Sequence, residues 1–205
     1  MATYTLFYVP GVCSLSPHVT LREGNFDFDL QSIDLKNNKK TQAGEDFWAL
    51  NPKGYVPALR IPGGKILTEG AIVVQYLADQ KPEAKLAPAN GTLERYELQE
   101  WMHFFATELH KGMSVFYQAS AGDELRGIMK KRLDQRLGVL NKHLATRKHV
   151  MGDQFTVADP YAFYCLRAFQ KQVKGTLDGA LAEYYQRLAQ RPSVKAALEF
   201  EKLDP

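Results

Sequence analysis

Apolar and polar positions along the chain change pattern near residue 80. Before that point short strand-like runs alternate with helix-like ones. "TYTLFYV", residues 3–9, is a β-rich run, and "FDFDLQSIDL", residues 26–35, alternates with the period of a strand that has one covered face. Between them "SPHVTLREGN" reads as a helix, with Ser14 near its cap and Gly24 near its stop. "EDFWAL" is a short helix ended by Asn51-Pro52, and "VPALRI", "PGGK" and "ILTE" make a hairpin about a Gly-Gly turn. "GAIVVQYLADQ", residues 70–80, is a helix with a broad apolar face. The order β-α-β-α-β-β-α predicts a parallel opening pair joined by a crossover, then antiparallel strands: a small mixed sheet with helices on its faces.

"KPEAKLAPANG", residues 81–91, is rich in Pro, Ala and Gly and reads as a connection. From Thr92 on there are no strand patterns. "LERYELQEWMHFFATELHKGMSVFYQ" predicts one long helix, and "ELRGIMKKRLDQRLGVLNKHLATR" repeats apolar residues at three- and four-residue steps. "TVADPYAFYCLRAFQKQV" is helical and mostly apolar, and two shorter helices follow. The expected organisation is therefore an α/β domain over 1–81, a linker over 82–91 and an all-α domain over 92–205.

Composition narrows the class without choosing a function. The 205 residues are 45% hydrophobic and 24% charged, an ordinary globular mixture. A net charge of +3 without long Lys/Arg runs does not demand nucleic acid. No run approaches a membrane span and no leader pattern opens the chain, so a soluble, cytoplasmic protein is expected. The two cysteines, Cys13 and Cys165, suit neither a zinc spacing nor a disulfide framework.

Four stretches carry candidate chemistry. In "YVPGVCSLSP" Cys13 stands at a helix start, where free N–H groups and the macrodipole favour thiolate over thiol. Ser14 is placed to donate to a sulfur; the other reading of the cysteine is a small buried filler. With no C-x-x-C partner, Cys13 needs an external thiol. In "NPKGYVPAL" the proline at 57 leaves Val56 as an edge able to pair with an extended peptide, or simply a loop before a strand. In "LTEGAIVVQYL" Thr68 or Glu69 caps a helix, or Glu69 and the free N–H groups near Gly70 hold the α-amino acid end of a ligand. His103, Thr107, His110, Lys111 and Ser114 share one polar helix face, either merely solvated or presenting an imidazole to a thiol site. The seven-residue histidine spacing argues against metal. "FTVADPYAF" is read as folding chemistry, a capping box between Thr156 and Asp159 with Phe155 as staple.

Taken together, "FYVPGVCSL", "NPKGYVPAL", "LTEGAIVVQYLAD", "FATELHKG" and "MGDQFTVADPYAF" resemble the cytosolic glutathione transferases, specifically the bacterial beta class, over essentially the whole chain. The resemblance implies a thioredoxin-like first domain with a four-stranded mixed sheet, and a helical second domain supplying an electrophile pocket and dimer contacts. It implies glutathione as co-substrate, no metal, a homodimer, and conjugation of glutathione to hydrophobic electrophiles in detoxification. Thiol-disulfide or peroxidase chemistry, or non-catalytic ligand binding, are the alternatives. By resemblance Cys13 is the class cysteine, able to form a mixed disulfide with glutathione, with Ser14 and Tyr8 beside it. Val56 pairs its backbone with the cysteinyl unit, with a cis Pro57 after it. Glu69 and Gly70 hold the γ-glutamyl end, and Lys39 (or Lys40) reaches the glycyl end. His110 and Lys111 match the class His-Lys pair, with Thr107 and Glu108 in the same stretch. Tyr117, Tyr164 and Phe169 are expected to line the electrophile pocket. Tyr55 stands where the class often has glutamine, His103 where it often has asparagine, and Gly70 where serine is frequent.

Overall fold

The computed structural model describes residues 3–35 and 38–204; Met1, Ala2, Lys36, Asn37 and Pro205 lie outside them. The first elements are β1 (Tyr4–Tyr8), α1 (Leu15–Glu23), β2 (Phe28–Asp34), β3 (Lys40–Thr41), α2 (Phe47–Leu50), β4 (Ala58–Arg60), β5 (Ile66–Thr68) and α3 (Gly70–Gln80). The strands form one mixed sheet in the order β3-β2-β1-β4-β5. β1 is parallel to β2, with Leu6 opposite Leu30, and antiparallel to β4, with Leu6 opposite Leu59. β4 and β5 form the expected hairpin.

The sheet has five strands rather than the four expected. The additional β3 has two residues, pairs Thr41 with Ile33 of β2, and is too short to show a periodicity.

β1 sits at the centre and is covered on both faces. Tyr4, Leu6 and Tyr8 point one way, into a cluster with Leu21 of α1, Phe26, Leu59, and Val73 and Leu77 of α3. Phe7 points the other way, against Ile33, Phe47 and Ala58. This is the period-two rule applied to a strand with two cores.

The chain divides into two compact units, one taking in the chain up to Leu86 together with Pro192 onward, the other Ala87–Arg191. The last helix, α8 (Pro192–Phe200), therefore belongs by its contacts with the amino-terminal unit, not with the preceding helices. Its buried Val194, Ala197 and Leu198 are apolar, and Ser193 donates a hydrogen bond to Glu23 of α1.

The second unit holds α4 (Leu93–Phe104), α5 (Asp123–Leu144), α6 (Ala158–Ala168) and α7 (Gly179–Ala189). Thr92 caps α4, its hydroxyl accepting from Arg95 N at 3.2 Å. The long helix expected over 93–118 is three pieces: α4, a π-helical stretch Phe105–His110, and a 3₁₀ stretch Lys111–Tyr117. A π-turn widens the helix and a 3₁₀ turn tightens it, so the 3.6-residue face does not run through.

Only half of the expected capping box forms. Asp159 accepts from Thr156 N at 2.8 Å, but its own N–H bonds the Thr156 carbonyl at 3.0 Å. The buried carboxylate also accepts from Val150 N at 3.1 Å and Tyr184 OH at 2.7 Å, so it ties three segments of this unit together. Among the described residues no helix is long and apolar enough to cross a membrane.

Candidate functional site

The turn after β1 is built around Gly11, whose φ of 75° suits glycine. Ser14 clasps this turn: its hydroxyl donates to Val9 O at 3.0 Å and accepts from Val9 N at 3.2 Å. The side chain is buried, and its proton is committed to Val9 rather than aimed at a sulfur. Cys13, half-buried, precedes α1 and donates its thiol proton to Val56 O at 3.1 Å. Neither Cys13 nor Cys165 is in a disulfide, and Cys165 is buried.

The acceptor for that thiol stands at a second special backbone. The Val56–Pro57 peptide bond is cis, and β4 starts one residue later. The start of α3 adjoins it: a Cβ placed on Gly70 would lie 3.5 Å from Pro57 Cγ. Just before α3, Glu69 has φ 70° and ψ 108°, outside the regions open to residues with a side chain. Its side chain makes no cap hydrogen bond, so the capping reading of Glu69 falls away. The Glu69 carboxylate instead pairs with Lys53 Nζ at 2.8 Å, with both side chains more than half exposed (65% and 57%). Such an exposed pair contributes about 0–1 kcal/mol, which does not offset the roughly 1–3 kcal/mol of a strained backbone.

A third segment lies along the same edge. Lys39 donates to Gly54 O at 2.8 Å, with its ammonium 4.1 Å from the Trp48 ring centre and 5.6 Å from that of Tyr55. Gly54 is required here: it has φ 68°, and a Cβ would come within 2.2 Å of the Trp48 ring. Tyr55 is 70% exposed, and its carbonyl accepts from Asn51 Nδ2 at 2.8 Å. Lys40 belongs to β3.

Tyr8 is placed differently. It lies on the face of the sheet that carries Tyr4 and Leu6, packed toward His18 and Phe200, with ring centres 6.4 and 6.2 Å away. Burial, and then the charge of Glu201, push its hydroxyl above the usual tyrosine range. It remains a neutral phenol at neutral pH.

The helical unit holds the remaining candidates. His103 and Thr107 are exposed, and Thr107 donates back to His103 O at 2.9 Å. Lys111 is exposed. Glu108 is held by two arginines of α5, Arg136 at 2.7 Å and Arg132 at 3.1 Å, and their hydrogen bonds keep its carboxyl below the usual range. Its carboxylate is thus engaged in structural pairing. His110 is half-buried in an aromatic box: Nδ1 lies 3.0 Å from Tyr161 OH, and the rings of Tyr161 and Tyr164 stand edge-on at 5.9 and 5.0 Å. Burial, and then the charge of Lys111, lower its pKa to about 4, so the imidazole is neutral. Tyr164 and Phe169 are buried in the core of this unit, while Tyr117 is about half exposed. A cavity of about 450 Å³ opens elsewhere in the unit, between α4 and α5, lined by Trp101, Phe104, Val139 and His143 among others; none of the three lines it.

Among the described residues no group of three or more His, Cys, Asp or Glu is placed to hold a metal ion.

The chain matches the family models "Glutathione S-transferase, N-terminal domain" over residues 12–80 and "Glutathione S-transferase, C-terminal domain" over residues 107–201. It is 42% identical over 200 residues to glutathione S-transferase GstA of Escherichia coli O157:H7, covering 97% of this chain and 98% of that one. The chain belongs to the glutathione S-transferase family.

Two solved structures set this transferase beside the bacterial beta class: a sphingomonad glutathione S-transferase complexed with glutathione, and the beta-class enzyme of Sphingomonas chungbukensis. Each is 41% identical, with a TM-score of 0.90, covering 98% of this chain and 100% of that chain. The transferase is accordingly an enzyme of that class. Of the residues singled out in its sequence, the amino-terminal unit brings Cys13, Val56, Pro57, Gly70 and Glu69 along one path, with Lys39 and Tyr55 on the same loop system. Tyr8, Ser14 and Glu108 point into structural contacts. Trp48, Lys53 and Tyr161 were not singled out. Trp48 and Lys53 lie in "EDFWAL" and "NPKGYVPAL", stretches read for their helix and their proline, and Tyr161 meets His110 across 51 residues of chain.

Proposed function

We propose that the amino-terminal unit binds glutathione in an extended form along the path from Glu69 to Cys13. The single observation that carries this reading is Glu69, a strained, exposed carboxylate immediately before α3, next in sequence to Gly70, which adjoins the proline whose preceding carbonyl takes the Cys13 thiol. In this reading Glu69 receives the α-ammonium of the γ-glutamyl group, and the open N–H groups of α3 at Gly70 receive its carboxylate. The backbone of Val56 pairs with the cysteinyl unit as an added strand. Lys39, oriented by Trp48 and Tyr55, takes the glycyl carboxylate.

Two steps are open to glutathione so held. In conjugation its thiolate attacks an electrophilic carbon and the electrophile's leaving group departs, or, in an addition, its π-electron pair takes up a proton. In thiol exchange the Cys13 thiolate attacks one sulfur of oxidised glutathione, forms the Cys13–glutathione disulfide and releases one glutathione thiolate. A second thiolate then regenerates Cys13. We assign conjugation as the main activity, with Cys13 able to enter the exchange. The helical unit is proposed to supply the surface for a hydrophobic electrophile, with His110 acting as a neutral imidazole and His103, Thr107 and Lys111 as polar contacts. Leu93 and Tyr96, 70% and 61% exposed on the first turn of α4, are proposed to meet a second copy in a homodimer. A reducing cytoplasm suits the two thiols.

The test combines retention on immobilised glutathione, conjugation of an aromatic electrophile, and intact mass after incubation with oxidised glutathione. Retention, turnover and one glutathione adduct that disappears in Cys13→Ala support the reading. Absence of retention and of both activities leaves a non-catalytic binder and overturns it.

A further inference from the structure

We propose that Glu201, at the carboxy-terminal end of α8, is a positioning residue for Cys13; this rests on the reading of Cys13 as the reacting thiol. Both oxygens of its buried carboxylate are used. Oε2 accepts from Gly11 N at 2.8 Å, two residues before the cysteine, and Oε1 lies 2.8 Å from His18 Nδ1. The far ring nitrogen of His18 accepts from Arg22 Nε at 2.9 Å. An arginine N–H only donates, so Nε2 of His18 carries the lone pair and Nδ1 carries the proton given to Glu201. The line Arg22–His18–Glu201 thus ends on the backbone of the thiol loop. It spans three parts of the sequence: the loop after β1, α1, and the residue after α8.

The placement is not one that stability alone selects. Glu201 stands at the C-terminal end of a helix, where a negative charge is disfavoured. Both it and His18 are fully buried. With His18 neutral, Glu201 is a buried carboxylate held by hydrogen bonds; such a group contributes little net stability compared with apolar residues of the same size, and what it does secure is geometry. Here the geometry secured is that of a loop tied at three points: Gly11 to Glu201, Ser14 to Val9, and the thiol to Val56. Tyr8 and Arg22 are the other titratable groups that bear on Glu201. Arg22 lies against Phe28 and Phe200, 5.8 and 5.7 Å from the ring centres.

Glu201→Gln keeps the shape but offers one acceptor oxygen where two donors converge, so the loop loses one tie. The readout is alkylation of Cys13 by iodoacetamide as a function of pH, followed by intact mass on the full chain, which needs no assumption about glutathione. Removing a negative charge by itself would move the alkylation midpoint down. Loss of position at the start of α1 moves it up, by about one unit, with about tenfold slower exchange with oxidised glutathione at neutral pH. Ser193→Ala, which cuts the other tie of α8 to α1, serves as the control for stability and leaves the midpoint unchanged. An unchanged or lowered midpoint in Glu201→Gln, or an equal rise in Ser193→Ala, overturns the proposal. If the midpoint rises while the native chain forms no glutathione adduct, the positioning role stands and the glutathione reading of Cys13 fails.

Discussion

The thiol of Cys13 and the carbonyl of Val56 are 3.1 Å apart, although 43 residues of chain separate them. That contact joins the loop that starts α1 to the loop that starts β4. It places a sulfur against the backbone that leads into β4.

Cys13→Ala is expected to abolish the disulfide adduct with oxidised glutathione while conjugation persists within about tenfold, the size of effect for loss of one hydrogen bond in a site. Intact mass and initial rates measured on the same preparation separate the two. Loss of both activities together would make Cys13 indispensable for conjugation as well.

Glu69→Gly should stabilise the fold and weaken glutathione binding at once. Glycine relieves the positive φ, a gain of about 1 kcal/mol or roughly 2–4 °C in Tm for a chain of this size. The carboxylate that receives the γ-glutamyl ammonium disappears, and KM for glutathione rises at least about tenfold. Calorimetry and steady-state kinetics check the pair of changes, and a fall in Tm would contradict the strain argument.

Gly70→Ser meets only ordinary contact with Pro57, at 3.5 Å, and Gly70 needs no positive φ. The added hydroxyl is expected to lower KM for glutathione severalfold without loss of Tm, supplying one hydrogen bond of about 1 kcal/mol. A raised KM would place the γ-glutamyl group elsewhere.

Gly54→Ala combines a positive φ of 68° with a Cβ 2.2 Å from the Trp48 ring. Urea unfolding is expected to show a loss of about 2 kcal/mol or more. Trp48 must move, so its fluorescence changes, and Lys39 loses its ring contact. An unperturbed fluorescence spectrum would refute the packing.

His110 has its pKa lowered to about 4 by burial, with Lys111 adding to it. The unfolded chain therefore takes up a proton at this position between the usual histidine value and pH 4, while the folded chain does not. Its stability contribution is complete above about pH 6.5 and is lost as pH falls toward 4. At pH 4.5 the loss is roughly 2 kcal/mol relative to pH 7. His110→Gln should flatten that part of the stability profile measured by urea unfolding, and an equal slope in both proteins would contradict it.

Several site residues make contacts that the linear reading did not foresee, for one physical reason. Tyr8 was set beside Cys13 by the family resemblance, and the period of the strand turns it to the side of Tyr4 and Leu6. The alternation in "TYTLFYV" was the signal available for that. Ser14 was expected to face a sulfur, and its hydroxyl closes the turn on Val9 instead. Glu108 was grouped with His110 and Lys111, whereas its partners Arg132 and Arg136 lie 24 and 28 residues away on α5. The common helical face of His103, Thr107 and His110 assumed a uniform pitch, which the π and 3₁₀ stretches remove.

From the sequence alone came the β-α-β-α-β-β-α order, the run of helices after it and the family, because periodicity, turn residues and motifs are local and survive in one dimension. Tertiary structure alone decided that α8 joins the first unit, that a two-residue β3 closes the sheet edge, and that Glu201 reaches Gly11 across 190 residues. Those features depend on which buried surfaces and hydrogen-bond donors meet after folding, and no pattern of neighbouring residues encodes such a meeting.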